Sequence, residues 1–504
     1  MRRSVLLLLC TTVLTVLTSA CGDDDSSDPA TSTPTLPATL SPTHSFAVPG
    51  NDLLAPGPVF TGAAEGDKLA AIATGDFNAD GSVDLALGAA FADGPSGEDA
   101  GAVYIFFGPL PLARDEVSVG DADVVLTGAA GSQTGRSLAA GDFDGDGSDE
   151  LAIGAPAAGP GYVYVLAGGP EFGVESDLSS DAFRLGIGGA DDGDFFGNTI
   201  VTGDYNGDGT DDLAAGAFLA DGPDGSREDA GAVYVVHGAL PGAFDPGSRV
   251  ATATLHGAEA GDRLGEALTA GDLNGDGRTD LVAVATFGDG PDNERENAGE
   301  AYVFTGGIAG KIDLAEGSPP VAVLGIDKGD QLGHSVASLD FNGDGFDDLI
   351  LGAVSADGSD NLQNIAGEVA LVLGSDAPPA VIDAADLQIA FGTLESRLGR
   401  SVAAGDLNGD GYGDALLAGP EKPDRGVVYI VLGGTAGAFP DGAGEADAAI
   451  EGRADGDNLG SQVSGSPATR AADLDGDGHD DVIVAAARAN GGRGEVLVFY
   501  WRPS

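Results

Sequence analysis

The chain has 504 residues, 84 of them Gly, and sets 81 Asp and Glu against 22 Lys and Arg for a formal net charge of -59. That balance excludes a general affinity for nucleic acid or anionic lipid and makes cations the natural partners. Length alone leaves open two or three ordinary domains or one all-β unit of the barrel or propeller kind.

At the N-terminus Arg2 and Arg3 precede an apolar run from Val5 to Leu17, followed by Thr18, Ser19, Ala20 and Cys21. A charged start, a short apolar core and small residues predict an export signal, and the run is shorter than the ~20 residues of a membrane-spanning helix. Small residues ahead of a cysteine resemble the lipobox of bacterial lipoproteins, with Thr18 where that family usually has Leu. The resemblance implies a signal peptide over 1–20, diacylation of Cys21 and anchoring to a bacterial membrane, at the outer membrane or cell surface. Simple secretion after cleavage behind Ala20 is the alternative. Cys10 falls in the removed segment, so no internal disulfide is expected. Residues 21–50, rich in Asp, Ser, Thr and Pro, read as a solvated tether.

From 51 to 504 one motif dominates. Asp-x-Asp/Asn-x-Asp-Gly-x-x-Asp/Glu begins at Asp76, Asp142, Asp204, Asp272, Asp340, Asp406 and Asp473, at intervals of 66, 62, 68, 68, 66 and 67 residues. Seven copies at one period predict seven structural units. Each copy follows a short alternating stretch such as Ser401–Gly405 and precedes an apolar run such as Leu349–Ala353. A third run rich in β-formers comes next, as at Tyr162–Leu166, and then a fourth, as at Thr254–Gly257 or Val321–Gly325. Four short strands per period make a propeller blade. The last unit stops after its third strand at Trp501, while Val59–Gly62 looks like a fourth strand without its first three. The predicted fold is therefore all-β: a seven-bladed β-propeller of four-stranded antiparallel blades, with the N-terminal strand closing the last blade.

Within each motif the side chains at positions one, three, five and nine converge, and Gly at position six permits the sharp bend. The sets are Asp76, Asn78, Asp80, Asp84; Asp142, Asp144, Asp146, Glu150; Asp204, Asn206, Asp208, Asp212; and Asp272, Asn274, Asp276, Asp280. The remaining three are Asp340, Asn342, Asp344, Asp348; Asp406, Asn408, Asp410, Asp414; and Asp473, Asp475, Asp477, Asp481. Calcium takes six to eight oxygens at about 2.3–2.6 Å, which four side chains, a backbone carbonyl and a water would supply. Solvated turns also favour Asp, Asn and Gly, but a turn has no use for three or four acids that repel one another. About seven structural Ca2+ ions are expected, each tying two strands of a blade. The spacing excludes nonapeptide β-helix repeats and EF-hands.

The repeats resemble the FG-GAP repeats of the integrin α-subunit propeller. The signatures stand as Phe196–Gly197, Leu264–Gly265, Leu332–Gly333, Leu398–Gly399 and Leu459–Gly460 before the metal loops, and as Gly154–Ala155–Pro156 or Gly352–Ala353 after them. The resemblance, running from residue 55 to the end, implies calcium in the loops and ligand binding on the opposite face. Every blade here keeps its metal loop, unlike integrins, so a β-subunit partner is not implied. The expected function is a non-enzymatic cell-surface binding or adhesion module for a protein or glycan ligand on that face, with membrane contact through Cys21 and none with nucleic acid. The face would carry long loops at 93–99, 221–229, 289–297 and 357–365, which include Arg227 and Arg295, and the Ser464–Pro467 expansion of blade seven. No catalytic residue is expected: there is no G-x-S-x-G, and His44, His237, His256, His334 and His479 are scattered through the tether and the blades. A carbohydrate- or lipid-active enzyme working through a carboxylate pair is the alternative, as is a lectin, for which one Trp and nine Tyr offer few platforms.

Overall fold

The computed structural model describes residues 54–502 apart from 111–115, 171, 173–177, 179–185, 190, 239–250, 291–292, 318–320, 358–364, 384–386, 393–395, 421–424, 435–438, 441, 443–444 and 462–468. The expected signal peptide, Cys21, the tether and the Ser464–Pro467 expansion lie outside the described residues.

Why the second strand of each repeat reads as a continuous apolar run is a matter of packing. Asp280–Ala285 and Asp348–Ala353, for example, are buried along all six residues. A strand held between two neighbouring blades has no solvent face and so needs apolar side chains on both sides. In blade four, Leu281, Ala283 and Ala285 pack with Val233, Val235 and Leu255 of blade three. Val282 and Val284 pack with Leu349 and Leu351 of blade five. The twofold side-chain period thus sends alternate residues to opposite blade interfaces.

The chain forms seven sheets, each with at least four strands. In blade four the first strand, Leu264–Gly271, pairs antiparallel with Asp280–Ala285, which pairs with Glu300–Phe304, which pairs with Val321–Leu324. This up-and-down order puts every first-to-second-strand loop on one face and the second-to-third and fourth-to-first connections on the other. First strands of successive blades lie side by side, and Thr469–Ala472 of blade seven meets Ala71–Gly75 of blade one. Across that junction Arg470 Nε donates to Thr74 Oγ1 at 3.2 Å. The ring also closes within blade seven, where Leu54–Thr61 pairs antiparallel with Glu495–Trp501 and Phe60 stands opposite Val496. Among the described residues helix is limited to short turns such as Val119–Asp121 and Ala489–Gly492.

Among the described residues three blades have an outer strand beyond the expected four. Glu116–Ser118, Gly310–Asp313 and Val381–Ile382 pair in parallel with the fourth strands of blades seven, three and four. Each comes from the third-to-fourth-strand connection of the following blade, so one blade lends its edge to the next. Strands of two to four residues show no alternation long enough to be read from sequence. The recurring glycines find their reason at the blade junctions. A Cβ on Gly216 would lie 2.0 Å from the carbonyl oxygen of Gly265, which itself has φ +89°. The two glycines let adjacent backbones touch and turn there.

Candidate metal centres and the opposite face

Each Asp loop is built between the first and second strands, and blade five shows how. Asp340 follows Leu332–Leu339, and Asp348 opens the second strand. The Asp340 carboxylate turns back over the loop, its Oδ1 accepting from the backbone N–H of Gly343 at 2.7 Å and of Asp344 at 3.1 Å, its Oδ2 from Gly345 at 2.9 Å. Asn342 Oδ1 accepts from Asp344 N and Asp344 Oδ1 from Phe346 N. The same bond from the position-six glycine to the position-one acid recurs in all seven loops, at Gly81, Gly147, Gly209, Gly277, Gly345, Gly411 and Gly478. Gly345 sits at φ +90°, which an L side chain adopts only with strain.

The position-nine acid has a second task that the motif does not announce. Asp348 is fully buried, its Oδ2 accepting from Phe341 N in the loop and its Oδ1 from Gly374 N beyond the third strand. Equivalent bonds run from Gly108, Gly168, Gly238, Gly306, Gly433 and Trp501 to the position-nine acids of the other blades. Glu150, the one departure in type, reaches the same two partners with its longer arm, at 2.8 Å from Phe143 N and 2.9 Å from Gly168 N. Burial pushes these carboxyls up, Asp84, Asp280 and Asp348 to about 6 and Glu150, Asp414 and Asp481 to about 7, with Asp212 shifted the same way. Neighbouring loop acids add to the push, and a cation among them would reverse it.

Oxygens of Asp142, Asp144 and Asp146 lie within 4.8 Å of one another, as do those of Asp473, Asp475 and Asp481. These are the two loops with Asp at position three. In the other five loops Asn stands there, and the structure keeps Asn78, Asn206 and Asn274 hydrogen-bonded to acids of their own loops. Glu150 and Asp477 stand outside the two three-acid groups. Hard oxygen donors in this number suit Ca2+ better than a thiolate- or imidazole-seeking metal.

Sequence reasoning missed the acid at position eight. Asp149, Asp211, Asp347 and Asp480 each accept a hydrogen bond, at 2.8–3.1 Å, from the backbone N–H of the position-one Asp in the preceding blade: Asp76, Asp142, Asp272 and Asp406. Neighbouring loops are thereby stapled around the face. The acid doublets at the end of four motifs were the available signal.

The long loops on the opposite face are internally tied. Asp93, Asp221, Asp289 and Asp357 accept from the backbone N–H of Asp99, Asp229, Asn297 and Ile365 at the far ends of their loops. Arg227 and Arg295, read from sequence as occasional charges in solvated loops, bind backbone carbonyls of Gly257 and Gly325. The carboxyls of Asp262 and Asp330, in fourth-to-first-strand connections on the same face, are pushed by burial to about 7. The four histidines of the blades are not brought together. Among the described residues no helix is long and apolar enough to cross a membrane.

The FG-GAP repeat family matches residues 69–106, 134–166, 196–236, 264–304, 332–372, 398–431 and 467–499, one segment per blade. Integrin alpha-PS2 of Drosophila melanogaster is 33% identical over 240 residues, covering 45% of this chain and 16% of that protein. Phosphatidylinositol-glycan-specific phospholipase D of Bos taurus is 33% identical over 180 residues, covering 34% of this chain and 21% of that protein. The WD40 domain of Toxoplasma gondii coronin superposes with a TM-score of 0.46 at 11% identity, over 92% of this chain and 88% of that one. The chain thus spans only a small part of the relatives it matches in sequence. With every blade matched, the chain belongs to the FG-GAP repeat family.

Proposed function

We propose that this chain is an extracytoplasmic binding or adhesion module, stiffened by about seven Ca2+ ions in its Asp loops, that presents the face opposite those loops to a ligand and performs no catalysis. The observation that carries the reading is the sevenfold repetition of one loop with four oxygen-bearing side chains, on a propeller whose other face carries long, internally tied loops. Calcium fits because the buried position-nine acids are costly to ionise without a cation and because extracellular modules of this kind work at dissociation constants of about 10⁻⁴–10⁻³ M. Similarity to integrin alpha-PS2 supports adhesion. Export and lipid anchoring at Cys21 rest on the N-terminal sequence.

Calorimetric titration of Ca2+ into the chelator-stripped mature protein, with thermal unfolding followed in parallel, tests the metal reading. About seven equivalents and a raised melting temperature are expected; no binding, or binding without stabilisation, would reduce the loops to polar turns. Turnover of a chromogenic polysaccharide or a phospholipid by the purified protein would sink the non-catalytic part.

A further inference from the structure

In blade three, Tyr234 of the third strand stands opposite Thr254 of the fourth, and Thr254 stands opposite Lys311 of the borrowed outer strand. Residues in register on neighbouring strands share a face of the sheet, as do residues two apart on one strand, so His256 joins this row. Ala253 and Leu255, on the other face, pack into the core shared with blade four. The polar row therefore faces blade two, where the Tyr234 ring meets that of Phe196 edge-on at 5.4 Å. In every other blade the place of Thr254 is held by a glycine or an aliphatic residue: Val59, Val125, Gly186, Ala322, Ile389 or Ala449. Blade three alone puts a hydroxyl where the fold is satisfied without one.

That row lines a cavity of about 610 Å³, a size that holds a small ligand. Connections on the face opposite the Asp loops add the carboxylates of Asp191, Asp194 and Asp221 to its wall. Two of these are fixed by their own loops: Asp194 accepts from Asp191 N at 3.1 Å and Asp221 from Asp229 N at 3.1 Å. The strand that carries Lys311 is fixed in turn, because Arg227 holds its last residue, Asp313, at 2.8 Å. His256 forms part of the wall and is only 9% exposed, yet its Nδ1 has no hydrogen-bond partner among the described residues. Buried polar atoms in a native protein are nearly always satisfied, which marks this imidazole as a group kept for a partner outside the chain. Burial, and after it the nearby Lys311, pushes the imidazole below its usual value and keeps it neutral, able both to donate and to accept.

We propose that this cavity between blades two and three binds the neutral, hydroxyl-rich end of a glycan. Sugar hydroxyls donate and accept, and the wall answers both: the carboxylates accept, Lys311 donates, and Thr254 and His256 do either. Three carboxylates against one ammonium, in a chain of net charge -59, repel an anion and so set aside sugars that carry an acid. Asp191, Asp194 and Asp221 are not among the acids whose oxygens gather within 4.8 Å, and Lys311 stands with them, so neither a divalent cation nor a basic side chain fits as well. The polar row leaves no apolar floor for a lipid chain. With Tyr234 as the aromatic part of the wall, the sugar is held by hydrogen bonds more than by stacking. The inference names a ligand class for the binding-module reading and rests on it.

The test is an array of neutral and acidic glycans, printed beside a lysine–glycine–lysine peptide blocked at both ends and probed with the calcium-loaded mature protein. Retention on neutral glycans, and not on those bearing uronate or sialate, is expected. Thr254→Val installs the residue that blade one carries at this place, and Lys311→Gln alters an exposed side chain. Each should weaken binding of the best-retained neutral glycan about tenfold at an unchanged melting temperature. No retention on any neutral glycan overturns the proposal, and retention on the peptide alone overturns it in favour of a basic partner. Equal glycan binding by wild type and both variants removes the cavity as the site while leaving a binding module in place. Cleavage of a retained glycan, lost in the same variants, supports the cavity and sinks the non-catalytic reading instead.

Discussion

Arg227 grips Asp313 across 86 residues of chain with both prongs of its guanidinium, Nη1 and Nη2 each 2.8 Å from a carboxylate oxygen. Arg227 belongs to a loop of blade three, whereas Asp313 ends the outer strand that blade four lends to blade three. Arg227 Nη1 also donates to the carbonyl of Gly257 at 2.7 Å, so one side chain ties the loop, the blade-to-blade crossing and the borrowed strand. Blade four repeats the device with Arg295, Gly325 and Asp383. Both partners of the first pair are mostly buried, with side-chain exposures of 16% and 11%, while Asp383 is 59% exposed. Arg227→Gln should therefore lower stability by about 1–2 kcal/mol and Arg295→Gln by less. A double-mutant cycle of Arg227→Gln with Asp313→Asn, read by denaturant unfolding, should return a coupling of about 1 kcal/mol; zero coupling would reduce the pair to a surface contact.

Loss of a single position-one acid should delete a single ion. Asp340 supplies both the backbone caps of its loop and, on the calcium reading, one ligand. Asp340→Asn keeps an oxygen that can cap but removes the charge. The variant should bind about one equivalent less than wild type and lose part of the calcium-induced rise in melting temperature. Each site contributes about 2.7 kcal/mol when free calcium is a hundredfold above its dissociation constant. Unchanged stoichiometry in Asp340→Asn would remove this loop from the metal sites.

Strands that span a blade interface were legible because burial on both faces forces an apolar run, and blade number was legible because the Asp motif recurs at one period. The third-strand runs fall within a residue or two of their observed bounds, as with Tyr162–Leu166, and the closing strand was read as Val59–Gly62 where Leu54–Thr61 forms. What escaped was set by contacts distant in sequence. The outer strand Gly310–Asp313 exists because blade three offers it an edge, and its own residues favour nothing in particular. The staple from Asp149 to Asp76 depends on two loops 73 residues apart meeting on one face.

The raised carboxyls of Asp262 and Asp330 give the opposite face its own pH dependence. Both are buried, at 6% and 8% exposed, and burial is the main cause of their shift to about 7, with neighbouring acids adding to it. A carboxyl whose folded value exceeds its unfolded one binds more protons when folded, so its contribution to stability falls as pH rises. The loss begins above the unfolded value near 4 and is complete above the folded value near 7. Asp262→Asn and Asp330→Asn keep an acceptor and remove the titration. Each should be more stable than wild type by about 1–2 kcal/mol at pH 8, after allowance for solvent screening, and no more stable at pH 4. A stability difference independent of pH would show that these acids ionise freely in the folded state.

Closure of the ring makes the most severe prediction. Phe60 is 1% exposed, its ring centroid lies 4.7 Å from that of Phe106, and it shares a cluster with Ile72, Leu85, Ile483 and Val498 from blades one and seven. One side chain on the closing strand therefore joins the two ends of the ring. Phe60→Ala should cost about 3–5 kcal/mol, the range for emptying a packed aromatic site. Removal of the strand Leu54–Thr61 altogether does more, because it leaves Glu495–Trp501 as an open apolar edge and deprives Glu116–Ser118 of its only ladder partner among the described strands. Such an edge invites pairing between molecules, so a chain beginning at residue 62 should elute as aggregate or swapped oligomer, and full-length Phe60→Ala as destabilised monomer. A stable, monomeric truncation on size-exclusion chromatography would mean that the other six blades and the Arg470–Thr74 junction hold the ring without the closing strand.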